Sequence, residues 1–185
     1  MTFFDYSEKV NPVDEFGIRD DEKGKEELKS KVLAENPKSS IASIPVKELP
    51  AFIDYDNKKE WNAVIESLGR NDFNFIAIDN NIPYYDKNGN EKNRCDAIIW
   101  TESTIVFIEL KNQQKDWFEE AVFQLKSTIN FFDEVDGLEK FKFKKAYACN
   151  KAHPYFNYQF KDRMQKFFRD TGVSLHPEMK ICKIK

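Results

Sequence analysis

The apolar positions of this chain gather into short runs in its middle, while its first fifty residues are polar and weakly patterned. Residues 104–111, TIVFIELK, are apolar at successive positions, as in a strand buried on both faces at the centre of a sheet. Residues 73–79 (FNFIAID) and roughly 94–101 (RCDAIIWT) also read as strands, with turn chemistry around Asn88-Gly89 between them. Phe118, Ala121, Val122, Leu125, Ile129 and Phe132 recur at helical spacing and predict an amphipathic helix over 116–132. A further strand is predicted at 144–150, a helix over 157–170 and an edge strand at 180–184.

Upstream, Asn57 can cap a helix through KKEWNAVIESLG, with Trp61, Val64, Ile65 and Leu68 on one face and Gly69 past its end. Residues 20–36 offer acidic residues first and basic ones later, a short helix closed by Asn36-Pro37. Residues 1–20 lack a period and read as irregular, and Pro37, Pro45 and Pro50 punctuate a connector. The expected organisation is an N-terminal arm over 1–56 and an α/β domain over 57–185. In that domain a mixed central β-sheet is flanked by helices, in the order α-β-β-β-α-β.

Composition narrows the setting. The 185 residues suit a single domain, and 17 phenylalanines predict a largely aromatic core. No apolar run approaches the roughly 20 residues needed to span a bilayer. The first residues lack a signal-peptide pattern. Cys95, Cys149 and Cys182 are odd in number, far apart and in no C-x-x-C pair, so neither a disulfide framework nor a zinc site is expected. A reducing, cytoplasmic setting is the simplest expectation. The net charge is −3, but residues 138–185 hold 12 Lys and Arg against 4 Asp and Glu. That basic segment, with Lys142, Lys144, Lys145 and Lys151, is a candidate phosphate-facing patch beside an acidic body, and equally a solvated surface. Tyr155, Phe156, Tyr158 and Phe160, among Lys151, Lys161 and Arg163, suit either base stacking or packing of the next helix.

The candidate chemistry lies at the ends of the central strands. Side chains two apart share a face of a strand, so Glu109 and Lys111 point the same way, with Ile105 and Phe107 behind them. Asp96 shares a face with Ile98 and Trp100, and pairing through a tight turn brings it to the same sheet end as Glu109. Two carboxylates and a lysine at the rim of an apolar sheet are costly unless they bind something. Magnesium fits such a set, being held by one or two carboxylates plus substrate phosphate, and manganese is the alternative. Lys111 is then placed to orient an attacking water or to stabilise developing charge.

These residues, RCDAIIW…FIELKN, resemble the PD-(D/E)XK nuclease superfamily, with Asp96 at its first acidic position and Glu109 and Lys111 at its second half. The resemblance covers residues 57–150 and implies a restriction-endonuclease-like fold and metal-dependent cleavage of nucleic acid, DNA ahead of RNA. It adds Gln124, which resembles the helical glutamine of exonuclease-like branches, and Glu60 as a further metal ligand on a helix. Thr128 stands where those branches often carry tyrosine. Acid-x-Lys occurs five times in the chain, but only Glu109–Lys111 ends a buried strand with an aspartate one strand earlier. Two rival readings are an inactive scaffold of the same fold and an acidic interaction or immunity-type module. A homodimer is compatible with each.

Overall fold

Alternation of burial decides where these apolar runs go. The computed structural model describes residues 2–153, 160–182 and 184. In chain order its strands and α-helices are β1 (Glu8–Lys9), β2 (Glu15–Arg19), α1 (Glu22–Glu35), β3 (Phe52–Asp54), β4 (Ala63–Glu66), β5 (Asn74–Ala77) and β6 (Ala97–Trp100). They continue with β7 (Thr104–Lys111), α2 (Trp117–Asp136), β8 (Phe143–Asn150), α3 (Lys161–Thr171), β9 (Ser174–His176) and β10 (Lys180–Ile181). Short 3-10 turns at Phe3–Tyr6, Ser40–Ser43 and Val46–Glu48 fill the arm and the proline-punctuated connector.

The fold is α/β with two sheets. The larger has the order β1-β5-β6-β7-β8-β9, and the smaller β10-β4-β2-β3. In the larger sheet β5, β6 and β7 form an antiparallel meander, while β7, β8 and β9 run parallel. That change of direction requires a crossover, and α2 supplies it between β7 and β8. One face of the larger sheet carries Ile76, Ile98, Ile105, Phe107 and Ala146 against Phe118, Ala121, Leu125, Ile129 and Phe132 of α2. The other face carries Phe75, Ala97, Ile99, Val106, Ile108 and Tyr147 against Phe16, Ile18, Ala63 and Ile65 of the smaller sheet. β7 is therefore covered on both sides, as its unbroken apolar run requires. The core is aromatic, with Phe118 stacked on Phe160 at 3.9 Å and Tyr84 on Phe131 at 3.8 Å between ring centroids.

Two expectations are corrected, and the single central sheet expected is two. The helix expected over 57–68 is a turn followed by β4, whose burial alternates through Ala63, Val64, Ile65 and Glu66. Asn57 is not a helix cap: its carbonyl accepts the Glu60 N–H at 2.8 Å in that turn. β4 is held by pairing with β2 on one side and β10 on the other, and Leu68 is 76% exposed with φ +53°. Residues 1–20 are not an irregular arm, because β2 lies in the middle of the smaller sheet and β1 edges the larger one. The edge strand expected near 180–184 forms as β10, at the edge of the smaller sheet beside β4.

Gly17 of β2 shows how closely β2 and the turn before β4 approach. A Cβ there would lie 2.0 Å from Cγ of the Trp61 ring, so the position admits no side chain. Among the described residues no helix is long and apolar enough to cross a membrane.

Candidate active site

The register of β6 on β7 pairs Ala97 with Ile108 and Ile98 with Phe107. Asp96 immediately precedes β6, and its carboxyl lies against β7 within electrostatic reach of Glu109. The Asp96 main chain is fixed from both neighbours: its N–H donates to the Ile108 carbonyl at 3.1 Å and its carbonyl accepts from the Ile78 N–H at 2.8 Å. Its Oδ2 accepts the Leu110 N–H at 2.6 Å. Glu109 is 1% exposed. Its Oε1 meets Lys111 Nζ at 2.8 Å, while its Oε2 is buried without a hydrogen-bond partner.

α2 holds the lysine in place. Lys111 Nζ donates to Gln124 Oε1 at 2.6 Å, and Gln124 Nε2 donates to the Arg94 carbonyl at 3.1 Å. Gln124 is thus a strut from α2 to the start of β6, with its amide oriented by a donor at one end and an acceptor at the other. One turn later Thr128 repeats the connection: fully buried, its Oγ1 accepts the Cys95 N–H at 2.7 Å and donates to the Gln124 carbonyl at 3.1 Å.

Burial dominates the electrostatics. It pushes the Asp96 carboxyl up to about 8, helped next by the negative charge of Asp20 and only partly offset by the Leu110 N–H and Lys111. Glu109 is raised well above the usual carboxylate range by burial and then by Asp96, more than Lys111 lowers it. Burial works against charge on Lys111, but Glu109 and Asp96 outweigh it and hold its pKa above the ordinary lysine value. At neutral pH the lysine is a cation, and the two carboxyls compete for protons.

Several residues around this cluster were not singled out by sequence pattern. Asp20, just after β2, pairs with the buried Lys25 of α1 at 2.6 Å and faces Asp96 electrostatically. Asp79, just after β5, adds negative charge to both Asp96 and Glu109 and is paired with the buried Arg94 at 3.3 Å. The buried Asn150, at the end of β8, holds the loop after β7 by accepting the Gln113 N–H at 3.2 Å and donating to the Gln113 carbonyl at 2.7 Å. These residues come from chain segments far from 94–124, so only folding reveals them.

The remaining expected site residues are dispersed. Glu60 sits in the turn before β4, half-exposed, and its carboxylate pairs with Lys151 at 3.2 Å rather than joining Asp96 and Glu109. With no helix to aim it inward, it stands at the margin of the cluster. Lys151 follows β8, and its N–H donates to the Lys111 carbonyl at 2.9 Å, so it lies at the same sheet end as the site. Lys144 and Lys145 pair with Ile105 and Val106, whereas Glu109 pairs with Ala148. Four residues along β8 separate Lys144 from the level of Glu109, about 13 Å at 3.3 Å per residue. Lys142 lies farther still, beside the Phe143 ring. The basic stretch 142–145 therefore lies at the opposite end of the sheet from the carboxylates. Tyr155, Phe156 and Tyr158 lie outside the described residues. Phe160 is packed against Trp117 and Phe118 as part of the core.

Among the described residues no group of three or more His, Cys, Asp or Glu side chains is placed to hold a metal ion. Comparison with known proteins finds no matching family model, no matching curated protein and no matching solved structure.

Proposed function

We propose that this chain is a metal-dependent nuclease of the PD-(D/E)XK type, hydrolysing phosphodiester bonds in nucleic acid, with DNA as the favoured substrate. The observation that carries this reading is Glu109 Oε2, a buried carboxylate oxygen with no hydrogen-bond partner, close enough to a second buried carboxyl on Asp96 to feel its charge. Leaving such an oxygen unpaired costs about 1–3 kcal/mol or more, a cost that a bound cation would offset. The donors fit a hard divalent ion such as Mg²⁺ or Mn²⁺ held by Asp96 and Glu109, with waters completing its shell. Bound there, the metal supplies an acidified water and neutralises charge on the phosphate.

The chain's own residues do the rest. Lys111 has three N–H donors; two are used by Glu109 Oε1 and Gln124 Oε1, leaving one to meet the attacking water or a phosphate oxygen. Gln124 fixes the direction of that ammonium by its second bond, to the Arg94 carbonyl. Thr128 holds the residue before Asp96, and so the height of the Asp96 carboxyl at the rim. Lys151 and Glu60 flank the cluster, the lysine available to a phosphate once the exposed pair opens. The strand–strand–strand–helix–strand run from β5 to β8 supports a restriction-endonuclease-like core, although β4 rather than a helix precedes it.

The test is cleavage of labelled duplex DNA, single-stranded DNA and RNA with Mg²⁺ or Mn²⁺, beside calorimetric titration of the metal alone. Wild type should bind a cation and cleave, whereas Asp96→Asn and Glu109→Gln should bind neither metal well nor cut. Absence of cation binding by the folded wild type would refute the site. A bound cation with no cleavage of any substrate would leave a metal-binding scaffold in place of the enzyme.

A further inference from the structure

β9 ends the strand order of the larger sheet. One side of it pairs with β8 through Ser174, Leu175 and His176, and among the described residues no strand pairs with the other. Beside that open edge lies a groove of about 460 Å³ between β9 and α3, lined by Met164, Gln165, Phe168, Arg169 and the three β9 residues. Phe167 is buried beneath α3, but Phe168 is 53% exposed at this groove. A large aromatic ring held half in water beside an unpaired strand edge is unusual, because both features invite association.

Charge defines what fits. Asp170 is occupied by Lys126 at 2.5 Å, and Arg163 by Glu119. Arg169 has no ion-pair partner among the described residues and is the one charged side chain of α3 that lines the groove, so the helical wall is positive there.

We propose that the β9–α3 edge binds an extended peptide segment of a partner protein, one that alternates acidic and large apolar residues. Such a segment would add a strand beside β9, exchanging main-chain hydrogen bonds with it. Its apolar side chains, two residues apart on one face, would enter the groove against Met164, Phe168 and Leu175. Its carboxylates would meet Arg169. A nucleic acid fits less well, since the groove is walled by a strand edge and apolar side chains rather than by cations that track a phosphate backbone. A second copy fits less well too, since two-fold pairing of β9 with itself would repeat the same positive charge on both sides of the seam.

The probe is a short synthetic peptide alternating glutamate with leucine and phenylalanine, with a lysine-for-glutamate version and a thymidine oligonucleotide as comparisons. Each is titrated into isotope-labelled protein while amide resonances are followed. The expected result is saturable shifts at Ser174, Leu175, His176, Met164 and Phe168 with the acidic peptide alone. Phe168→Ala should weaken that binding about tenfold or more, as for an aromatic anchor. Arg169→Glu should weaken it as well and reverse the preference toward the lysine version. Both side chains are exposed, so each variant should remain folded with a cooperative thermal transition, Arg169→Glu losing only the modest benefit of a cation in the last turn of α3. Absence of shifts at β9 or equal binding of the two peptides would overturn the proposal. So would oligonucleotide binding at the groove, or concentration-dependent dimerisation abolished by Phe168→Ala.

Discussion

Replacing Asp96 by asparagine should make the metal-free protein more stable at pH 8 and leave it nearly unchanged at pH 4. The Asp96 carboxyl titrates near 3.8 when exposed and is pushed up to about 8 in the fold, first by burial and then by Asp20. A raised carboxyl binds its proton more tightly in the folded state. Its stabilising contribution is therefore complete below the unfolded value and is lost as pH climbs through about 8. Roughly four units at 1.36 kcal/mol each gives a loss on the order of 5 kcal/mol across that window, comparable with the whole stability of many domains. Asparagine removes the titration but keeps an oxygen to accept the Leu110 N–H, so the local geometry survives. It also removes the charge that raises Glu109, which adds to the gain. Urea unfolding of wild type and Asp96→Asn, with a chelator present, should be measured at pH 4, 6 and 8. The difference between the two proteins reports this carboxyl together with the Glu109 titration it raises, while the other titrating groups cancel. Parallel profiles, or a variant less stable than wild type at pH 8, would refute the reasoning.

Other substitutions separate catalysis from packing. Lys111→Met should leave cation binding measurable by calorimetry while slowing single-turnover cleavage by roughly two to three orders of magnitude; wild-type rates would remove the lysine from the chemistry. Thr128→Val deletes the hydroxyl that satisfies the Cys95 N–H and should cost about 1–3 kcal/mol in urea unfolding, with Thr128→Ser recovering most of it. Gly17→Ala drives a Cβ into the Trp61 ring and should destabilise by about 3 kcal/mol or more, read as a fallen melting temperature. Neutralising Lys151 should weaken oligonucleotide binding and flatten its salt dependence more than neutralising Lys144, which lies about 13 Å along the strand from the carboxylates.

The parts of the molecule legible in the sequence are those whose structure is decided locally. β7 declares itself by an apolar run too long for an edge, and α2 by an apolar period that holds from Phe118 to Phe132. Glu109, Lys111 and Gln124 fall within these segments and Asp96 just before β6, one turn upstream, so their meeting follows from one hairpin and one helix. The segment 57–68 is different. Trp61, Val64, Ile65 and Leu68 satisfy a helical period, yet Trp61, Ala63 and Ile65 satisfy a two-residue one equally well over so short a window. Pairing with β2 and β10, from residues 15–18 and 180–181, settles the choice, and nothing near 57–68 encodes those partners. The same reason hides Asp20 and Asp79. Each follows the end of a strand, and which strand ends share a rim is a property of the sheets.

The parallel contact of β10 with β4 also bears on how the chain folds as it is made. Lys180 and Ile181 lie against Val64 and Ile65, and the Val64 N–H donates to the Met179 carbonyl at 2.9 Å. A ribosome adding roughly 5–20 residues per second needs about 6–23 s to travel from the one strand to the other. Throughout that interval β4 can pair with β2, but its second edge has no native partner. The emerging chain must then either leave the smaller sheet unformed or carry β4 with one edge unpaired until β10 is made.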